Sequence, residues 1–428
     1  MTFEDLELIS PILKALKDKN YTTPTPIQQK AIPVTLQGKD VLGCAQTGTG
    51  KTAAFSIPVI QRLSQQNNLQ KEISCLIVTP TRELAIQINE SISDYGRYTK
   101  LTHAVIFGGV KQGAQVAELK KGVDILVATP GRLLDLCNQG YIQLSKIKVF
   151  ILDEADRMLD MGFINDIKKI IKLLPQKRQS LFFSATMPKN IIELANTILI
   201  KPVKIEVAPI SSTAETIDQY KYLTNKNLKK DLLLHILKER EIKQVLLFSR
   251  TKHGANRISR DLKKKNVSAA AIHGDRSQSQ RQKALRDFKE GNLTVLVATD
   301  IASRGIDIEK LQYVINYDIP NEPEIYVHRI GRSGRAGETG VAISLCEPEE
   351  IAYVRDIERL INKKIKEIKN HPYPQTDKPL TAAEKKEANK EKARKKQEFF
   401  ANRKKNEMKK RGLGQKGKAK NFTSRRMR

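Results

Sequence analysis

The segment Ala45-Gln46-Thr47-Gly48-Thr49-Gly50-Lys51-Thr52 follows a short apolar run, Val41 to Cys44, and opens a helix-compatible stretch. That is where a phosphate-binding loop belongs. Gly48 and Gly50 let the backbone curl until its N–H groups face phosphate oxygens, Lys51 reaches the β- and γ-phosphates, and the Thr52 hydroxyl is a ligand for Mg2+. The helix start adds a favourable dipole. Ala45 stands where the general pattern usually has glycine. A glycine-rich turn that binds nothing is the plain alternative, and the strand–loop–helix setting argues against it.

Hydrolysis needs a second element. Val149 to Leu152 is an apolar strand that runs into Asp153-Glu154-Ala155-Asp156. Asp153 then emerges at the carboxyl end of the strand, where open α/β sheets place their sites, and holds the metal through water. Glu154 beside it can orient and deprotonate an attacking water. An isolated acidic quartet is usually a solvated turn. After a buried strand, and about 100 residues beyond the phosphate loop, it points to nucleotide hydrolysis.

These residues need a scaffold. Apolar runs recur at Val41–Cys44, Cys75–Val78, Ala104–Phe107, Ile125–Val127, Val149–Leu152 and Leu181–Phe183. Continuous β-branched and aromatic runs are those of strands buried on both faces, as in a parallel sheet covered by helices. Helices fit between them, for example over Asp5–Lys19 and Asn190–Ile198. A second series, Val245–Phe248, Ala269–Ile272, Val295–Val297, Val314–Tyr317 and Val341–Leu345, reads as a second α/β domain. The small, polar, Pro-containing stretch Ala208–Ala214 separates the two. The expected division is 1–207, a linker at 208–215, 216–370, and a tail at 371–428. In the second series Ser249-Arg250-Thr251-Lys252 follows the first run where a phosphate loop would be, so one nucleotide site is expected.

The net charge of +29 calls for an anionic partner, with nucleic acid ahead of an anionic membrane surface. Residues 381–428 carry 19 Lys/Arg and 5 Glu, so nearly half of the excess sits in a tail about eight times shorter than the body. The tail has helix-compatible composition over 382–411 but no sustained apolar face, and reads as disordered from 412 onward. A solvated solubility tail is the alternative to nucleic-acid contact. The four cysteines, Cys44, Cys75, Cys137 and Cys346, form no CxxC pair, which suggests neither disulfides nor zinc and fits a reducing cytosol. No span of membrane length and no signal peptide is visible, so a cytoplasmic location is expected.

With these residues in place, the chain resembles the DEAD-box RNA helicases, and within them the bacterial RhlE-type proteins, over about residues 3–345. The resemblance implies two tandem RecA-like domains with parallel sheets covered by helices, followed by the basic C-terminal tail. Tyr21-Thr22-Thr23-Pro24-Thr25-Pro26-Ile27-Gln28 resembles the family's Q motif. Tyr21 would stack on adenine and Gln28 would read its edge through an amide that offers one donor and one acceptor. Phe3 resembles the aromatic upstream of that motif. The cofactors implied are ATP and Mg2+, with the whole loop from Ala45 to Thr52 around the phosphates and Thr52 and Asp153 on the metal side.

Pro80-Thr81-Arg82-Glu83-Leu84-Ala85, Gly108-Gly109 and Thr129-Pro130-Gly131-Arg132 resemble the RNA-facing motifs of the first domain. They put Pro80, Arg82, Gly109, Thr129, Gly131 and Arg132 on RNA. Small residues, hydroxyls and guanidinium groups suit phosphate and 2′-OH contacts that read no bases. In the second domain Phe248-Ser249-Arg250, His273-Gly274-Asp275, with Gln280 and Arg281 after them, and Thr299 to Asp307 resemble RNA-side segments. There Arg250, Gly274, Thr299, Arg304 and Gly305 fall at RNA positions and Asp307 at the ATP ribose. Ser184-Ala185-Thr186 resembles the motif that hydrogen-bonds Asp156 and couples the ATP site to RNA. His328-Arg329-Ile330-Gly331-Arg332-Ser333-Gly334-Arg335 resembles the last motif: Arg332 and Arg335 match arginine fingers, and Arg329 matches a residue bridging motifs across the cleft. With Lys51 and Glu154 these arginines make up the catalytic set; Asp156, Ser184, Thr186, His328 and Arg329 make up the interdomain set.

The implied activity is RNA-stimulated ATP hydrolysis coupled to local opening of short RNA duplexes and remodelling of ribonucleoproteins, by a monomer with little sequence preference. Ribosomal precursors and RNA-decay machinery are the partners that suit such a protein. A DNA helicase or translocase is the nearest rival, and Gln28 in its Pro-rich setting argues against it. An RNA chaperone or annealing protein acting through the tail is another, and the intact set Lys51, Glu154, Arg332 and Arg335 argues against that as the sole role. A membrane-surface role lacks an amphipathic apolar face. Deleting residues 381–428 is expected to weaken RNA binding at low salt by about tenfold or more, since the tail's charge acts through released counterions. The rate at saturating RNA should change little. RNA titrations of binding and of ATP turnover at two salt concentrations check this, and unchanged affinity at low salt refutes it.

Overall fold

The computed structural model describes residues 1–45, 48–66, 72–207, 217–303, 311–334 and 340–378, with single positions at 384, 391, 394 and 398. Gln46, Thr47, Arg304, Gly305, Asp307, Arg335, the linker at 208–215 and nearly all of the basic tail lie outside the described residues.

The first sheet has seven strands, β1 (Val41–Cys44), β2 (Cys75–Val78), β3 (His103–Ile106), β4 (Ile125–Ala128), β5 (Val149–Leu152), β6 (Gln179–Ser184) and β7 (Val203–Glu206). Their order is β3-β4-β2-β5-β6-β1-β7 and every registered pair is parallel. Burial explains the pattern: β2, β4, β5 and β6 are buried at every residue, whereas β3 alternates and β7, at the opposite edge, is largely uncovered. Among the described residues nine helices flank it: α1 (Ser10–Asp18), α2 (Pro26–Leu36), α3 (Lys51–Ser64), α4 (Arg82–Tyr95), α5 (Gly113–Lys120), α6 (Pro130–Asn138), α7 (Ala155–Asp160), α8 (Ile164–Leu173) and α9 (Lys189–Ile198). Two separate apolar clusters result, one with Phe55, Ile88 and Phe183, the other with Phe150, Phe182 and Ile191.

The second sheet repeats the first. Its strands are β8 (Ile217–Leu223), β9 (Val245–Phe248), β10 (Ala269–Ile272), β11 (Val295–Ala298), β12 (Tyr313–Asn316), β13 (Gly340–Cys346) and β14 (Lys366–Glu367). They lie in the order β10-β11-β9-β12-β13-β8-β14, which is the order of the first sheet counted from its own first strand. The helices are α10 (Lys229–Glu239), α11 (Lys252–Lys263), α12 (Gln278–Lys289), α13 (Asp300–Ser303), α14 (Pro323–Ile330) and α15 (Ile351–Leu360).

Three expectations change. The helix expected over 5–19 is two pieces, a 3-10 turn at Glu4–Leu6 and α1, because Glu7 takes a left-handed φ of 55° and Pro11 sits in the first turn of α1, a place proline favours. β8 was not expected, since only Ile217, Gln219 and Tyr222 of it are buried and it shows no apolar run. It displaces the presumed first strand of the second domain, so the place of the phosphate loop there falls to Thr224–Leu228, before α10, and not to Ser249–Lys252. Finally, residues 371–377, expected in the tail, pack on the second domain: the backbone N–H groups of Thr376 and Asp377 both donate to Asn225 Oδ1 at 3.0 Å, and His371 meets the Tyr222 ring edge-on.

Gly43 pairs with Phe183 in the register of β1 and β6, and a Cβ at this position would lie 2.5 Å from the Phe183 ring. That ring packs on Phe55 of α3, the helix that follows the phosphate loop. A Gly43→Ala substitution is therefore expected to destabilise the first domain by about 1–3 kcal/mol, the usual cost of overpacking. A lowered denaturant midpoint of the first unfolding transition would register it, and an unshifted midpoint would contradict it.

Candidate active site and nucleic-acid interface

The chain leaves β1 through Ala45 and re-enters described structure at Gly48 and Thr49 before Gly50 caps α3. Both glycines have positive φ, 87° and 93°, which side chains rarely tolerate. Lys51 is buried, and its ammonium donates to Ala45 O at 2.7 Å, curling the side chain back over the loop. Thr52 follows in the first turn of α3. Gln28 leans on this loop from α2: its Nε2 donates to Gly50 O at 3.1 Å and its Oε1 accepts from Thr25 N at 2.9 Å, closing a capping box. The amide expected to read adenine is thus engaged internally, and adenine contact requires it to share or exchange those bonds. Tyr21 is 44% exposed, its ring 6.3 Å from that of Tyr95 at the end of α4. Phe3 is buried in the core of the first domain.

The acidic quartet leaves β5 beside the loop, and Asp153, Glu154 and Asp156 are all buried. Burial pushes the Asp153 carboxyl up to about 7, with the Lys51 charge pulling the other way. Its Oδ1 is buried and has no hydrogen-bond partner among the described residues. An orphaned carboxylate oxygen costs free energy unless something completes it. That orphan, with Thr52 opening the neighbouring helix, fits a divalent cation.

Glu154 holds a left-handed backbone, φ 56° and ψ 50°, a conformation that costs a non-glycine residue about 1–3 kcal/mol. Its Oε2 accepts from Arg157 Nη1 at 2.6 Å, and both side chains are almost fully buried. Asp156 holds the turn after β6: its Oδ2 accepts from Ala185 N, Thr186 N and Thr186 Oγ1 at 3.0–3.1 Å, while its own N–H donates to Ser184 Oγ at 3.2 Å. Burial would raise the Asp156 carboxyl, but the charges of Lys51, Arg157 and His328 outweigh it and hold the group below the usual carboxylate range.

His328 belongs to the second domain, so that influence crosses between the two. Arg157 of the first domain shares one small cleft with Phe248, Asp300, His328, Arg329 and Arg332 of the second. Arg332 is buried there. Arg329 differs from expectation. Nε and Nη2 grip Asp300 at 2.6 and 2.9 Å, and Nη1 donates to Asn316 Oδ1 at 3.0 Å and to Asp318 O at 2.7 Å, so among the described residues its hydrogen bonds stay inside the second domain. A fully buried guanidinium needs all its donors met, and those partners lie nearest.

A second, larger cleft of about 570 Å3 brings together Pro80, Arg82, Thr129, Gly131 and Arg132 of the first domain with Gly274 and Arg281 of the second. Arg132 is steered by Gln115 Oε1 at 3.1 Å and Val110 O at 2.9 Å. Gly109, φ 78°, lies against the Arg82 guanidinium, where any side chain would collide with it. Gly131 and Gly274 have open space before them. Thr299 is buried at the end of β11, and Arg250 is tied to Glu350 at 2.7 Å; neither lines this cleft.

Sequence reasoning missed the contact that joins the domains here. Glu83, buried at the start of α4, accepts from Gln278 Nε2 at 3.0 Å and faces Arg281 Nη2 at 3.0 Å, both on α12. Glu83 and Arg281 stand in the quoted motifs, but nothing in the sequence pairs residues 198 positions apart. Arg157 was missed likewise; its place one turn after Glu154 was the available signal.

Comparison with known proteins agrees with this geometry. The DEAD/DEAH box helicase family matches residues 25–194, and the helicase conserved C-terminal domain matches residues 228–337. The DEAD-box ATP-dependent RNA helicase CshA of Geobacillus kaustophilus is 42% identical over 368 residues, covering 86% of this chain and 78% of the relative. RhpA of Helicobacter pylori, strain 26695, is 42% identical over 85% of this chain and 73% of its own. Among solved structures, S. cerevisiae Dbp5 bound to RNA and ADP BeF3 superposes with a TM-score of 0.77 at 32% identity, covering 86% of this chain and 95% of that one. Two RecA-like domains carrying these motifs define an ATP-dependent RNA helicase, and the chain belongs to the DEAD-box family.

Glu83 and Arg281 are expected to act as a unit. Glu83→Ala and Arg281→Ala should each lower RNA-stimulated kcat/KM by about tenfold or more, with a coupling of roughly 0.5–3 kcal/mol between them. A double-mutant cycle on RNA-stimulated ATP turnover measures it. Strict additivity would mean that the two residues do not cooperate in holding the domains together.

Proposed function

We propose that ATP is bound on the first domain and completed by the second, and that RNA lies across both in the larger cleft. The observation that carries this is the meeting, in one cleft, of the buried quartet's neighbour Arg157 with His328 and Arg332. In this reading the loop from Ala45 to Thr52 cradles the phosphates and Lys51 moves from Ala45 O to the β/γ-phosphates. Tyr21 and Gln28 take the adenine and Asp307 the ribose. Glu154, held in place by Arg157, accepts a proton from the attacking water. Arg332 and Arg335 meet the charge that develops on the transferring phosphoryl group, an effect worth about 10³–10⁵ in rate in other phosphoryl-transfer enzymes. Thr52 and Asp153 are the residues that would hold Mg2+, which supplies neutralising charge to the phosphates.

Pro80, Arg82, Gly109, Thr129, Gly131 and Arg132, with Arg250, Gly274, Thr299, Arg304 and Gly305, are assigned to RNA. Phosphate and 2′-OH contacts from such residues position the strand without reading it, so little sequence preference follows. Asp156, Ser184, Thr186 and His328 carry the coupling between sites; Arg329 supports them by ordering the second domain's side of the cleft. If ATP and RNA each favour the closed pair of domains, each strengthens the other's binding. The division into 1–207, 208–215, 216–370 and a tail is retained with one change: the tail starts after residue 377.

Within the family the motif wording favours the RhlE-type subgroup, while the relatives above carry the names CshA and RhpA. Ribosomal precursors and RNA-decay complexes are the proposed targets of a cytoplasmic monomer. Among the described residues no helix is long and apolar enough to cross a membrane. Steady-state ATP hydrolysis with and without RNA, beside a Glu154→Gln control, tests the reading. The expected result is strong RNA stimulation reduced by about 10² or more in the control, the usual share of a positioned general base. Equal rates with and without RNA would remove the coupling and favour annealing through the tail.

A further inference from the structure

The second domain repeats the topology of the first, so its loops can be compared by position. β8 corresponds to β1, β12 to β5 and β13 to β6. Lys51 is the first residue of the helix after β1, and Lys229 is the first residue of the helix after β8. Both lysines are buried, at 6% and 1% exposure. They differ in what meets the charge. Lys51 turns to a backbone carbonyl, Ala45 O. Lys229 donates to Tyr317 O at 2.8 Å and forms an ion pair with Glu350 Oε2 at 2.7 Å.

Glu350 is itself 1% exposed and carries more than this pair. Its Oε1 accepts from Arg250 Nη2 at 2.7 Å and from Ile319 N at 3.1 Å, and its Oε2 also accepts from Glu347 N at 3.3 Å. Burial pushes its carboxyl up and Lys229 opposes that. Arg250 Nη2 donates in addition to Ile319 O at 2.8 Å. The turn between, Tyr317–Ile319, corresponds to the start of the acidic quartet after β5. Asp318 accepts from Ser249 Oγ at 3.0 Å and Arg250 N at 2.8 Å through Oδ2, and its carbonyl accepts Arg329 Nη1 at 2.7 Å.

The loops after β8 and β12 thus meet one carboxylate in the second domain, at the place where their counterparts after β1 and β5 would meet phosphate in the first. We propose that Glu350 is a resident anion filling the disused phosphate position of the second domain, and that it acts there as the positioning residue for Arg250. The carboxylate holds the Nη2 edge of the guanidinium fork, while the side chain as a whole stays 41% exposed and open to a phosphate backbone. A buried ammonium left without its partner would be costly, which ties Lys229, Glu350 and Arg250 into one unit. The inference rests on the reading that Arg250 contacts RNA.

Glu350→Gln tests it, read as the RNA concentration that gives half-maximal ATPase stimulation. That value should rise by about three- to tenfold, the scale of a charge-assisted hydrogen bond. KM for ATP and the rate at saturating RNA should stay within about twofold, because no ATP contact passes through Glu350. Losing one partner of a buried pair endangers folding, whereas neutralising both is often tolerated. Lys229→Met combined with Glu350→Gln is therefore the second variant, and it should keep the raised RNA requirement while melting near the parent. In an Arg250→Ala background Glu350→Gln should add nothing. The proposal falls if either Glu350 variant leaves the RNA requirement unchanged while Arg250→Ala raises it, if the two effects add, or if KM for ATP rises in step. If Arg250→Ala alone leaves the RNA requirement unchanged, the RNA-contact reading of Arg250 fails first, and the proposal with it.

Discussion

A charge buried at the carboxyl edge of a parallel sheet has to be met by another charge or by backbone donors, and that requirement organises both halves of this molecule. In the first domain Asp156 meets it. One carboxylate oxygen takes two N–H groups and a hydroxyl from the Ala185–Thr186 turn, so the loops after β5 and β6 become a single piece. Removing that carboxylate would strand three donors and leave Lys51 and Arg157 without one of the charges that balance them. Asp153 is not satisfied to the same degree: its buried Oδ1 has no hydrogen-bond partner among the described residues, while Glu154 beside it holds a strained backbone conformation and pairs with Arg157. Incomplete satisfaction beside complete satisfaction is what separates a site that awaits a ligand from a support that does not.

The duplicated topology sharpens that contrast. Each domain brings the same three loops together at the same edge of the same strand order. In one, a lysine donates to a backbone carbonyl, Ala45 O. In the other, a lysine is closed by Glu350, and the surrounding donors are spent on the chain itself. The charge logic is preserved while the occupant has changed from an exchangeable anion to a permanent one, so a nucleotide site and a rigid support arise from one architecture.

Between the domains, polar and charged contacts join Glu83 with Gln278 and Arg281 and bring Arg157 near Arg332 and His328. Contacts of this kind favour a defined arrangement without the large apolar burial that would make it permanent, since breaking them returns charged groups to water. The larger cleft is lined from both domains, so it exists only while they meet.

Much of this was legible in the sequence, and the physical reason is local. A buried parallel strand needs a continuous apolar run, so β2, β4, β5, β9 and β11 announced themselves. A phosphate loop needs two glycines and a lysine between strand and helix, and an acidic pair after a strand needs only neighbours in the chain. β8 escaped because it lies near the sheet edge and buries only Ile217, Gln219 and Tyr222, and the break before α1 escaped because it depends on one left-handed residue, Glu7. Pairings between distant residues were out of reach for a different reason. The sequence states that Glu83, Arg250, Arg281 and Glu350 carry charge, but whether a charge is buried, and which partner answers it, depends on how two sheets and their loops come together in space. Motifs, strand content and chemistry were therefore determined along the chain. The engagement of Gln28, the confinement of Arg329 to its own domain, the Glu83–Arg281 contact and the closure of Lys229 by Glu350 were decided only by folding, because burial and desolvation have no value until the surrounding chain is in place.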